Sequence, residues 1–282
     1  MLTPRIIADA VRTALSEDAP WGDLTAELTI AEHAQLETVV SSREAGVFCG
    51  GPVIAEAFRQ VDPRIRVTEV AREGHRFEAG ETLAVVAGPA RGILTAERVA
   101  LNFAQRLSGI ASLTDRYVAA VRGTKAAIAD TRKTTPGLRA LEKHAVRSGG
   151  GSNHRFGLSD AIMVKDNHLV ALGATEGSAL TEALRALRAR AGHTTSIIVE
   201  VDRLSQLEPV LEAGVTGVLL DNFSLSDLEL GVRTVAGRAV CEASGGVNLE
   251  TVAAIAATGV DVISVGRLTH GATALDLGLD AR

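Results

Sequence analysis

The sequence predicts an α/β protein, with an N-terminal α+β (open-faced sandwich-like) domain followed by an incomplete α/β barrel. Three observations carry this reading. From about Ala126 onward, short apolar and β-branched runs alternate with helical patterns. Those runs are apolar on both faces, as strands of a buried parallel sheet are. The first hundred or so residues lack that rhythm. At 282 residues and 46% hydrophobic composition, the chain has enough apolar material for both parts.

In the N-terminal part, residues 4–16 read as a helix. "LETVVSSREAGVFCGG" reads as a strand followed by a glycine-rich turn, and "EGHRFEAGETLAVVAG" as short strands flanked by paired turns. The last segment resembles a biotinyl or lipoyl hammerhead but has no lysine in its turn for attachment, so it reads as packing structure. Thr95 is expected to cap a helix over "AERVALNFAQRL". Ser108-Gly109 is expected to break it before "IASLTDRYVAAV", which puts a domain boundary between 108 and 109.

The barrel strands are "AAIAD", "AIMVK", "SIIVEV", "GVLLDN", "AVCEAS" and "VISVG". The intervening helices "GSALTEALRALRARAG", "RLSQLEPVLEAG", "SLSDLELGVRTVAG" and "NLETVAAIAATG" each close on a Gly suited to a helix C-cap. Six βα units fall short of the eight of a full barrel, so the barrel is expected to be incomplete over 109–267.

Composition excludes several classes of function. Charged residues are 22% of the chain, the net charge is -5, and no run of like charge forms a tail. Disorder and non-specific nucleic-acid binding therefore fit poorly. Cys49 and Cys241 are far apart, without Cys or His neighbours at metal-ligand spacing, and read as buried thiols in a reducing compartment. The N-terminus "MLTPRIIADAVRTALSED" carries charges where a signal peptide would be apolar. No segment reaches the about 18 apolar residues of a membrane helix. A cytoplasmic location is the expectation.

Chemistry in α/β barrels sits at the carboxyl ends of the strands. Here those ends are nearly all polar: Asp130-Thr131-Arg132-Lys133, Lys165-Asp166-Asn167, Glu200, Asp221-Asn222, Glu242 with Ser244-Gly245-Gly246, and Gly266. One charge at a strand end means only that the chain has reached solvent; six ends in register point to a binding mouth. The Ser244-Gly245-Gly246 turn precedes "NLETVAAIAA", and Gly266 precedes Thr269 and His270. Backbone N–H groups at such turns can cradle a phosphate. Glu200 and Asp221, on adjacent strands, suit a divalent ion together with sugar hydroxyls, or stabilise positive charge on a sugar carbon. The alternative for each is a salt bridge to a neighbouring Lys or Arg.

Positive charge concentrates in the middle of the chain. Between Arg132 and His168 there are seven Lys/Arg against three Asp/Glu. Thr135-Pro136 is expected to start a helix that places Arg139, Lys143 and Arg147 on the surface. Arg132, Lys133, Arg155 and Lys165, with His154, then remain at loops or strand ends. Guanidiniums there suit carboxylates and lysines suit phosphate oxygens.

Read together, "EDAPWGDLT", "REAGV", "GILTAERVALNFAQRLSGIA", "DTRKTTPGLRALEKHAVRSGGGSNHRFGLSDAIMVKDNH", "VEVD", "LLDNF", "EASGG" and "SVGRLTHG" resemble the decarboxylating quinolinate phosphoribosyltransferases. The resemblance spans nearly the whole chain. It implies a fold in which residues 268–282 return to the first domain. It also implies a reaction that joins quinolinate to phosphoribosyl pyrophosphate with Mg2+, giving nicotinate mononucleotide, pyrophosphate and CO2 in NAD biosynthesis.

Carried over by motif, Arg132, His154, Arg155 and Lys165, with Thr131 nearby, would hold the two quinolinate carboxylates. Lys133 would meet the phosphoribosyl pyrophosphate, and Glu200 and Asp221 its ribose and metal. Ser244, Gly245, Gly246, Gly266 and His270 would take the 5′-phosphate. Arg98 would reach a neighbouring subunit's site, implying a homodimer or larger assembly. Arg267 and Gly271 depart from the family's pattern around the phosphate loop.

Little acid–base machinery is expected of such a site, in keeping with the absence of an obvious His–carboxylate dyad in the sequence. A paralogous group of the same fold, which accompanies molybdenum-transport genes, shares "TRKT" and "HR.GLS"; Lys165-Asp166-Asn167-His168 argues against it. A Schiff-base aldolase using Lys165 or Lys133 is a rival in another reaction class. A phosphate-sensing or scaffold barrel would explain the turns but not the cationic cluster.

Overall fold

The computed structural model describes residues 2–282 and divides into two compact units. One comprises Met1–Asp115, Lys133–Gly150 and Leu268–Arg282; the other comprises Arg116–Arg132 and Gly151–Arg267. This partition differs from the expected one. The first unit runs past residue 108, and 133–150, expected within the barrel, belongs to it.

The first unit opens with helix Pro4–Asp18, whose Thr3 side chain accepts the Ile6 N–H at 3.3 Å and whose first residue is proline. Its strands are β1 (Gln35–Ser42), β2 (Gly46–Val47), β3 (Arg66–Thr68), β4 (Arg76–Phe77) and β5 (Thr82–Pro89). β5 pairs antiparallel with β1 on one side and β3 on the other, while β2 and β4 form a separate ribbon. Beyond the glycine-rich turn lies helix Gly51–Val61, which buries Val53, Ile54, Ala57 and Phe58.

Helix Ala90–Ala120 runs without interruption through Ser108-Gly109, so the expected break is absent. Thr95 lies inside it and donates to the Arg91 carbonyl at 2.8 Å rather than capping it. Its buried stripe is Ile93, Ala96, Ala100, Ala104, Leu107, Ala111 and Thr114, spaced by three or four as one helix face requires. Ser108 and Gly109 are packing residues. The Ser108 hydroxyl takes the Cys49 N–H at 3.0 Å, and a Cβ on Gly109 would meet the Thr273 carbonyl oxygen at 1.9 Å.

The second unit holds the predicted strands: β6 (Ala127–Ala129), β7 (Ile162–Val164), β8 (Ile197–Val201), β9 (Gly217–Asp221), β10 (Val240–Ser244) and β11 (Val262–Ser264). All pairings are parallel, and the order is β6-β11-β10-β9-β8-β7. The first strand thus pairs with the last, as in a barrel. β6 and β7 stay apart, leaving only an Ala129–Ser152 bridge, so this barrel is incomplete as predicted.

The chain then returns to the first unit. β12 (Leu277–Ala281) pairs antiparallel with β1, Thr38 facing Ala281, and gives a sheet ordered β12-β1-β5-β3. Helix Arg139–Ser148 begins three residues later than Thr135-Pro136 suggested, and Lys143, expected on the surface, is buried at 4% exposure with Glu142 at 0%.

Candidate active site

Within the second unit, the predicted residues stand at the carboxyl ends of the parallel strands. Thr131 and Arg132 follow β6, Lys165 follows β7, Glu200 lies near the end of β8, and Asp221 ends β9. Ser244 ends β10 and is paired with Asp221, while Gly266 follows β11. The register sets Glu200 opposite Leu219, which itself faces Glu242, so the two glutamates share one level of the sheet.

The loop after β6 is fixed by Asp130, fully buried, whose carboxylate accepts the Asn153 amide at 2.6 Å and the His154 N–H at 2.8 Å. His154 Nδ1 in turn accepts the Arg155 N–H at 2.6 Å. Its Nε2 lies 3.5 Å from a Glu242 carboxylate oxygen, and both side chains are at most a tenth exposed. Glu242 also accepts a short hydrogen bond from the Ser264 hydroxyl. The fold therefore builds the His–carboxylate pair that the sequence did not reveal, from residues 88 positions apart. Asp130 and Glu242 went unassigned because a strand-end acid looks alike whether it holds a loop or meets solvent.

Arg155 donates to the Ala161 carbonyl at 3.2 Å, and the turn beyond it is held by Asp160, which accepts the Phe156 and Gly157 N–H groups at 2.6 and 2.8 Å. Burial lowers the Arg155 pKa and the nearby Arg132 guanidinium lowers it further, against a weaker pull from Asp160. Two like charges held close, offset only in part by Asp160, leave a positive field suited to a ligand with more than one carboxylate.

Lys165 Nζ makes a short ion pair with the Glu200 carboxylate. It caps helix Asp166–Leu172, where its own N–H donates to His168 Nδ1 at 3.0 Å. Asp221 accepts the Asn222 amide at 2.8 Å.

The glycine turn after β10 is shaped by necessity. Gly245 has φ +95°, and a Cβ there would lie 2.1 Å from Asn222 Oδ1, whereas Gly246 opens to space. The following helix starts only at Val252, and Asn248 caps the intervening turn through the Glu250 and Thr251 N–H groups. The helix N-terminus therefore does not reach Gly246, and the donors offered there are the N–H groups of the turn itself. Gly266 directly precedes the short helix Arg267–His270.

In the first unit, Lys133 and His270 are positioned by a closed polar network that sequence reasoning missed. The fully buried Glu142 receives Arg106 Nη2 at 2.8 Å, the Thr135 N–H at 3.0 Å and the Thr135 hydroxyl at 2.7 Å. Arg106 also donates to the Thr269 and Ala272 carbonyls, and the Thr269 hydroxyl donates to the Lys133 carbonyl at 2.6 Å. Arg98, more than half exposed, lines a cavity of about 320 Å3 with Asp18, Asp23, Leu24, Leu94 and Thr95.

Comparison with known proteins agrees with this geometry. Residues 23–108 match the family Quinolinate phosphoribosyl transferase, N-terminal domain, and residues 110–280 match Quinolinate phosphoribosyl transferase, C-terminal domain. The chain is 44% identical to the nicotinate-nucleotide pyrophosphorylase [carboxylating] of Mycobacterium leprae over 96% of each chain. It is 40% identical to the probable enzyme of that name from Bacillus subtilis, over 94% of this chain and 89% of the other. The solved nicotinate-nucleotide pyrophosphorylase of Francisella tularensis superposes with a TM-score of 0.90 at 37% identity, covering 100% of this chain and 98% of that one. With both domain matches and close relatives along its full length, the chain belongs to the quinolinate phosphoribosyltransferase family and is a phosphoribosyltransferase.

Proposed function

We propose that the chain makes nicotinate mononucleotide from quinolinate and phosphoribosyl pyrophosphate, releasing pyrophosphate and CO2, at the carboxyl ends of β6–β11. The observation that carries the proposal is the Arg132/Arg155 cluster beside the buried His154–Glu242 pair. Quinolinate is a dianion, and its carboxylates relieve the repulsion between the guanidiniums while Lys165 and Thr131 complete the contacts. In the second unit, Ser244, Gly245, Gly246 and Gly266 take the 5′-phosphate of the phosphoribosyl pyrophosphate, and the family resemblance assigns Lys133 and His270 to the same substrate.

The steps follow from charge. Once the anions are neutralised, the ring nitrogen attacks the anomeric carbon and the carbon–pyrophosphate bond breaks, with Glu200 and Asp221 stabilising positive charge on the ribose. The nitrogen is then a pyridinium. Its positive charge stabilises the electron pair left on the adjacent ring carbon when the carboxylate departs as CO2, and a proton from water then bonds to that carbon. The His154 and Glu242 pair holds the imidazole in one orientation, because Nδ1 is committed to the Arg155 N–H.

Glu200 and Asp221 are two oxygen-donor side chains on adjacent strands that, once Lys165 leaves its ion pair with Glu200 for a quinolinate carboxylate, would hold Mg2+ together with substrate phosphates. When bound it would offset the charge of the pyrophosphate. The aldolase reading is set aside because both parts of the chain match the quinolinate phosphoribosyltransferase family. The expected assay outcome is nicotinate mononucleotide from quinolinate, lost with EDTA and regained with Mg2+. No product, or product insensitive to EDTA, would sink the activity or the metal role respectively.

A homodimer is part of the proposal, with Arg98 serving the partner's site. Leu24 and Leu94, which line the same cavity as Arg98, are 70% and 38% exposed, an apolar surface suited to burial against a second copy. Arg98→Ala and Lys133→Ala subunits, each nearly inactive alone, should recover activity on mixing, since some mixed dimers hold one intact site. No recovery despite subunit exchange would return Arg98 to its own surface. We place the enzyme in the cytoplasm, where its two buried free thiols suit a reducing medium; among the described residues no helix is long and apolar enough to cross a membrane.

A further inference from the structure

Three side chains of the first unit that have no part in the reaction above converge on one point. Cys49 follows β2, Glu73 lies in the turn before β4, and His144 lies on helix Arg139–Ser148. Their ligand atoms all fall within 4.8 Å of one another, the only such group among the described residues. Glu73 is the hub. Its Oε1 accepts the Gly50 and Gly51 N–H groups at 3.0 and 2.9 Å, which fixes the carboxylate at the start of helix Gly51–Val61. Its Oε2 is turned to the other two, 3.0 Å from Cys49 Sγ and 2.8 Å from His144 Nε2.

We propose that Cys49, Glu73 and His144 form a binding site for one divalent transition-metal ion of the zinc class, which fastens helix Arg139–Ser148 to the turns at 49–51 and 73–74. The donor set is the first reason. A thiolate, an imidazole and one carboxylate oxygen suit Zn2+, whereas Mg2+ and Ca2+ prefer oxygen alone. Charge is the second, because a dication with a thiolate, a carboxylate and a neutral imidazole sums to zero, which suits a partly buried position.

The support around the ligands is the third. Two backbone N–H groups orient the carboxylate, as outer partners of metal ligands do. About a tetrahedral zinc, ligand atoms sit roughly 3.4–3.6 Å apart, so each observed separation widens by about 0.6 Å on binding. Cys49 is fully buried, but Glu73 and His144 remain a quarter to a third exposed and leave a way in from solvent. Binding sends the thiol proton to water. The imidazole gives up its Nε2 proton and carries one on Nδ1 instead, so one proton is released per ion bound.

The test uses the full-length protein, stripped with a chelator and returned to Mg2+ buffer. It is titrated with CoCl2 and, separately, with ZnSO4. The expected results are one equivalent of Zn2+ per chain by calorimetry, a rise in Tm with Zn2+, and a thiolate-to-cobalt charge-transfer band in the near ultraviolet. Carboxylate sites elsewhere give no such band. It should vanish in Cys49→Ser and persist in Cys241→Ala. His144→Gln should weaken Zn2+ by more than the ~10–100-fold that loss of an outer partner costs.

No band in the wild-type protein, a band that survives Cys49→Ser, or Zn2+ affinity within about twofold of wild type in His144→Gln would overturn the proposal. The three side chains would then be a closed hydrogen-bonded triad. Should Cys49→Ser fail to fold, the wild-type band and the His144→Gln titration still decide.

Discussion

Two charged clusters in this chain are built on opposite terms. In the first unit, Glu142 is fully buried and its charge is met by Arg106, with Thr135 adding two hydrogen bonds. At the barrel strand ends, burial and then the nearby Arg132 guanidinium lower the Arg155 pKa. A charge compensated by its own chain fixes the fold; a charge set against a like neighbour raises the energy of the ligand-free protein and repays it when an anion binds. The first cluster holds Lys133 and the segment around His270 in place, and the second is the proposed contact for substrate.

The largest test of that contrast is Glu142→Ala. It leaves Arg106 uncompensated and should cost about 3–5 kcal/mol in chemical denaturation, more than any variant at the strand ends. Arg155→Ala should behave the other way. Stability should hold or rise slightly because a repulsion is removed, while kcat/KM for quinolinate falls by about 1.5–3 kcal/mol, the range of a lost charge-assisted hydrogen bond. A variant that loses stability without losing kcat/KM would place Arg155 with the structural residues.

Gly245→Ala extends the contrast to the glycine turn after β10. The strained φ and the approach to Asn222 should cost about 1–2 kcal/mol, and the KM for phosphoribosyl pyrophosphate should rise with little change in that for quinolinate. The smallest effect is expected at Asp261, which binds Lys125 at 2.6 Å and the Cys241 N–H at 2.9 Å. Burial raises its pKa, but these partners outweigh burial and leave it below the ordinary value of 3.8. Its contribution is therefore present above pH 3.8 and lost as pH falls through the lower folded value, so Asp261→Asn should lower stability slightly above pH 3.8 and flatten its fall on the acid limb.

The strands were legible because β6 to β11 each interrupt a helical period with a short apolar run, and their polar ends follow from the same pattern. What was hidden depends on contacts between distant residues. Ser108-Gly109 carries the local chemistry of a break, yet the glycine is required by the Thr273 carbonyl, 164 positions away, and the helix continues. Lys143 fits a surface position by spacing alone but is buried on the same helix as Glu142. Neither the Arg106–Glu142 pair nor the His154–Glu242 pair has any motif spacing, and no propensity points to either. The Cys49, Glu73 and His144 cluster is invisible for the same reason.

The proposed role of the Arg132 and Arg155 guanidiniums at the strand ends is to recognise a dicarboxylate. Calorimetric titration of quinolinate and of nicotinate into the wild-type protein and into Arg155→Ala tests it most directly. Wild type should favour quinolinate over nicotinate by about a hundredfold or more, because unmatched cations are costly, and Arg155→Ala should lose most of that preference. Equal affinity for the two acids, or an undiminished preference in Arg155→Ala, would contradict it.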